Sequence, residues 1–72
     1  MKHLAVTALY IYCPNPDADT CLAEAVMSDG RLFSHGGFDS VEAVTYLAKI
    51  LQRAYGRGFS MPMPQDGPAP EV

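Results

Sequence analysis

Apolar and polar positions change period several times along this chain. Residues 3–13 (HLAVTALYIYC) are rich in β-branched and aromatic side chains and contain no glycine or proline, which predicts a strand. Leu4, Val6, Ala8, Tyr10 and Tyr12 fall on one face, with Ala5, Thr7, Leu9, Ile11 and Cys13 on the other. Both faces are largely apolar, the mark of a central strand or of one covered on two sides. Residues 21–28 (CLAEAVMS) satisfy two periods. Their Leu, Ala, Glu and Met favour a helix. They also alternate, with Leu22, Glu24, Val26 and Ser28 against Cys21, Ala23, Ala25 and Met27. Asp29-Gly30, between two such runs, favours the strand reading, because Asp-Gly suits a type I′ hairpin turn with φ > 0 at both central residues. Strands at 21–28 and 31–36 follow. The rival is a helix over 17–28 with Gly30 as its C-cap, which would make the order β-α-β-α.

The clearest period belongs to residues 40–55. Val41, Ala43, Val44, Leu47, Ala48, Ile50, Leu51, Ala54 and Tyr55 share one half of a helical wheel, and Glu42, Thr45, Lys49, Gln52 and Arg53 the other. Asp39 with Glu42 three residues on resembles a capping box, and Gly56 and Gly58 stop the helix. The predicted fold is α+β: a three-stranded antiparallel sheet in the order β-β-β-α, with the amphipathic helix packed on one face. Val44, Leu47, Leu51 and Tyr55 form the expected contact surface, with Val6, Leu9 or Ile11 among their partners. Residues 14–17 (PNPD) make a loop. Residues 59–72 hold four prolines and a glycine, which predicts an extended tail after a single domain at 1–58. Phe59, Met61 and Met63 are placed to pin its first half.

Composition narrows the classes. At 72 residues there is room for one domain at most, and 49% hydrophobic content supplies a core. Net charge is −3, so the Lys and Arg excess that accompanies non-specific nucleic-acid binding is missing. No run approaches the roughly 20 apolar residues of a membrane span. The apolar stretch at 4–11 is short and has no small-residue cleavage pattern after it, so the chain reads as cytoplasmic. A single helix leaves one apolar sheet face under-covered, which predicts a homodimer or a protein stable chiefly with its partner.

Candidate chemistry is sparse. Cys13 and Cys21 are the only cysteines and end two candidate neighbouring strands; paired they would close the Pro-rich loop, but in a reducing cytoplasm free, partly buried thiols are the expectation. His3 and His35 would have to complete any zinc site, and no paired metal-ligand spacing is present. A Cys-His nucleophile pair could be drawn from the same residues. No nucleophile elbow, phosphate loop or carboxylate cluster accompanies it. Gly36-Gly37 precedes a helix start, but the charge of Asp39 opposes an anion there. No catalytic residue, metal ligand or cofactor is assigned.

The polar helix face is the candidate binding surface. Lys49, Arg53 and Arg57 repeat every four residues and Tyr46 borders them, a basic row beside an aromatic. Cations near a helix C-terminus also offset the macrodipole, which is the structural explanation for the same residues. The run Gly37-Phe38-Asp39-Ser40-Val41-Glu42 resembles the strand-to-helix step of a type I-F anti-CRISPR protein, one of the small phage-encoded inhibitors of bacterial defence. The resemblance implies a non-enzymatic protein that binds a subunit of a CRISPR effector complex, and it carries no functional residue across. The expected function is surface binding to a larger protein or complex. The alternatives are a small metal-binding or enzymatic domain built on Cys13, Cys21 and His35, or an accessory subunit of a larger bacterial complex.

Overall fold

A computed structural model describes residues 5–13, 20–56 and 60–70. The elements are β1 (Val6–Tyr12), β2 (Cys21–Met27), β3 (Leu32–Gly37), α1 (Ser40–Tyr55) and β4 (Pro64–Asp66). They build a four-stranded mixed sheet in the order β3-β2-β1-β4. β1 and β3 both pair antiparallel with β2, and β4 pairs parallel with β1.

The strand reading of residues 21–28 holds over the helix reading, because β2 is the middle partner of a hairpin on each side. The expected sheet needs correction in two respects. The sheet has four strands and is not wholly antiparallel. The chain beyond α1 returns along the free edge of β1, matching Leu9 to Pro64 and Ile11 to Asp66. An edge position tolerates Pro64, whose missing N–H would break a central ladder. Met61 packs against the core, whereas Met63 is exposed, and Phe59 lies outside the described residues.

The β2–β3 turn is not type I′ either. Gly30 takes φ 91°, but no non-glycine residue among those described has positive φ, so Asp29 does not adopt the second left-handed position. The Gly30 N–H donates to the Met27 carbonyl at 2.9 Å, and the Met27 N–H to the Arg31 carbonyl at 2.8 Å. This is a three-residue loop ending in a glycine bulge, which spares aspartate the strain of φ > 0. Asp29 instead caps the turn, accepting from the Arg31 N–H at 3.1 Å.

β1 carries a bulge between Val6 and Ala8, where Thr7 donates its hydroxyl to the Val26 carbonyl at 3.0 Å. The extra residue reverses the alternation. Val6 therefore joins Leu9 and Ile11 on the helix side, not Tyr10 and Tyr12 as a regular strand would have it. The core comprises Leu9, Ala23, Ala25, Met27, Ala43, Leu47 and Leu51, all essentially inaccessible. Val44 and Tyr55, expected there too, are half-buried and pack at its margin.

α1 lies mainly over β2 and β3. Small side chains allow this close approach. Ala23 and Ala25 face the helix from β2, and a Cβ on Gly37 would stand 2.6 Å from the Ala43 nitrogen. The helix begins as predicted: Asp39 accepts from the Glu42 N–H at 2.7 Å, and Glu42 accepts in return from the Phe38 N–H at 3.2 Å. It ends at Gly56, φ 70°, whose N–H reaches the Gln52 carbonyl. Among the described residues, no helix is long and apolar enough to cross a membrane.

Cys13 and Cys21 are not free thiols. They form a disulfide, one step beyond the Tyr12–Leu22 pair of the β1–β2 ladder. The two strands bring the cysteines opposite each other, and that proximity outweighs the compartment argument that favoured thiols.

Candidate functional site

The residues singled out on the helix face line one side of a groove. Tyr46, Lys49 and Arg53 supply the α1 wall at successive turns. Arg57 lies outside the described residues. The groove also contains Ile50 and, from β3, His35, and its volume is about 310 Å³. Strand alternation delivers His35 there. It pairs with Ala23 in the β2–β3 register and so points to the helix side, two residues along from Phe33.

The aromatic floor is well defined. The His35 and Tyr46 rings meet edge to face, with centroids 5.3 Å apart and planes at 75°. His35 Nδ1 lies 2.6 Å from the Gly36 carbonyl, so that nitrogen carries the proton and donates. This bond fixes the imidazole plane and leaves Nε2 for an outside partner. The Lys49 ammonium stands over the Tyr46 ring, 5.7 Å from its centroid, within cation–π range. The stack His35–Tyr46–Lys49 thus runs from sheet to helix. Tyr46 continues into a second, largely apolar groove of about 260 Å³ that includes Thr20, Phe38 and Glu42. Phe38 is 73% exposed there.

The cations are poorly compensated. The chain carries eight acidic residues against five basic ones. Among the described residues, however, the ion pair observed is Arg31 with Asp29, at 3.0 Å, and neither Lys49 nor Arg53 has an acidic partner. Like charges four residues apart on a helix cost a few tenths of a kcal/mol. Arg53 recovers part of this from the helix C-terminus.

The Cys–His chemistry weighed from sequence does not come together. The disulfide occupies both sulfurs, and His35 lies in the groove just described. Among the described residues, no three His, Cys, Asp or Glu side chains are grouped as metal ligands.

Sequence reasoning found Tyr46, Lys49 and Arg53 but missed His35, Ile50 and Phe38 as their neighbours. His35 was legible through its period-two offset from Phe33. Ile50 was assigned wholly to the apolar half of the wheel, and it is the half-buried edge of that half that reaches the groove. No protein-family model, curated protein or solved structure matches this chain.

Proposed function

We propose that this is a non-enzymatic binding protein that docks a larger protein partner through the His35–Tyr46–Lys49–Arg53 groove. The observation that carries this reading is the His35–Tyr46 ring pair with Lys49 and Arg53 along the α1 wall of a concave surface. Tyrosine and arginine are favoured anchors of protein interfaces, and rings held by neighbours lose little entropy on binding. Lys49 and Arg53, without an acidic partner among the described residues, favour a partner that presents carboxylates.

The narrower reading is an inhibitor of a bacterial defence complex, with a CRISPR effector subunit as its partner. It rests on the resemblance at residues 37–42 and on the small size of the domain. Action in the cytoplasm belongs to this reading. It requires the fold to stand with Cys13 and Cys21 reduced, since structural disulfides are uncommon in that compartment. Self-association belongs to it as well, through the part of the second sheet face that residues 68–70 leave open, and light scattering on the full chain reports it.

The test is affinity capture from a bacterial lysate with the wild type and with a Tyr46→Ala/Lys49→Ala/Arg53→Ala variant whose circular dichroism is unchanged. A partner retained by the wild type and lost by the variant is the expected result. Equal retention by both would move the binding surface elsewhere.

A further inference from the structure

The sheet face opposite α1 holds a different kind of site. Tyr12, Glu24, Val26 and Leu32 line a cavity of about 510 Å³, and the chain after β4 crosses it through Pro68, Ala69 and Pro70. Gly67, at φ 90°, makes the turn that sends the chain there, its N–H donating to the Ile11 carbonyl at 3.1 Å. Glu24 is the one buried charged residue among those described, at 8% exposure. Its Oε1 is fully covered and has no hydrogen-bond partner. Tyr12 sits diagonally across the β1–β2 ladder from it, on the same face of the sheet.

A buried carboxylate oxygen without a partner is unusual in a folded protein and calls for a donor. The chain does not provide one among its described cations. Arg31 is bound to Asp29 and to the Tyr55 hydroxyl, and Lys49 and Arg53 are on the helix. We propose that this cavity binds the guanidinium group of a ligand, with Glu24 as its counter-ion, the Tyr12 ring and the two prolines as its walls, and Val26 and Leu32 as its floor.

Guanidinium fits better than an ammonium for two reasons. The walls are mostly apolar, so the cation that sheds water at lower cost is favoured, and guanidinium is the more weakly hydrated. It is also planar and stacks on an aromatic ring while its charge lies against the Glu24 side chain that lines the cavity. This site is independent of the helix groove, which lies on the other side of the sheet.

The probe is methylguanidinium chloride, titrated into the full chain against matched sodium chloride, with the methyl resonances of Val26 and Leu32 as readout. The expected result is a saturable shift, tighter for methylguanidinium than for methylammonium, and weakened at least about tenfold by Glu24→Gln. An acetyl-Gly-Arg-Gly-amide arm separates the sources. Binding tighter than methylguanidinium assigns the site to an arginine of a protein, and weaker binding assigns it to a small free guanidine. A shift that does not saturate, or that saturates equally for methylammonium, overturns the proposal even where Glu24→Gln fails to fold. So does an unchanged affinity in a folded Glu24→Gln.

Discussion

Tyr12 and Glu24 show how one residue pair sets a local property. Partial burial pushes the Tyr12 phenol above its ordinary value of 10.0, and the Glu24 carboxylate raises it further through its charge and its hydrogen bond. A raised folded pKa means the native state holds the phenolic proton more tightly than the unfolded chain does. The associated stability is present below about pH 10 and is lost as pH rises through the folded value. Wild-type stability should therefore fall above pH 10 more steeply than that of Tyr12→Phe, in urea midpoints measured across that range. The Tyr12 ring shifts of Glu24→Gln should titrate at lower pH than those of the wild type. Parallel midpoint curves for wild type and Tyr12→Phe would show that the pair is not formed. Glu24 was the least legible residue of the chain. Its mid-strand position among alanines and valine was a signal, since glutamate is depleted in strands, but alternation alone treats it as a solvent-facing residue. Asp39, by contrast, was readable because an N-cap is decided within three residues.

At the scale of elements, the helix and its docking surface were the most legible part. Leu47 and Leu51 lie one turn apart and are wholly buried, as the wheel predicts. Truncating either to alanine should cost about 2–5 kcal/mol through lost burial and the cavity left behind. A melting temperature unchanged by Leu47→Ala would contradict the docking of α1 on β2 and β3. The sheet was less legible in three places, each for a physical reason. The Thr7 bulge swaps faces in a strand that is apolar on both, so no sequence contrast marks it. β4 depends on a long-range pairing with the β1 edge, and its prolines argue locally against any strand. The Cys13–Cys21 bond was open in the sequence, since both cysteines end candidate neighbouring strands, but the compartment argument weighed against it and the β1–β2 register decides it. Closing that short loop should contribute about 2–3 kcal/mol on the chain-entropy account. Reduction should lower the unfolding free energy from urea titration by that amount and leave a folded protein. A chain that unfolds on reduction would rule out action in a reducing compartment.

For the whole molecule, the sheet divides two unlike surfaces. One side carries α1 and a basic aromatic groove, and the other carries a carboxylate beneath a proline-rich crossing. A chain of 72 residues has a stability of only about 4–11 kcal/mol at typical per-residue values. Among the described residues Lys49 and Arg53 have no acidic partner, and on the proposed reading a partner's carboxylates would supply one. The basic row was visible in sequence as a four-residue repeat. Its concavity was not, because that depends on His35 arriving from β3. The most direct test is the equilibrium affinity of the captured, purified partner for the wild type and for the Tyr46→Ala/Lys49→Ala/Arg53→Ala variant. If the groove holds the anchors of the interface, the affinity should fall at least about thirtyfold, the loss of a single strong hot spot. Affinities within about twofold of each other, for a variant that remains folded, would contradict it.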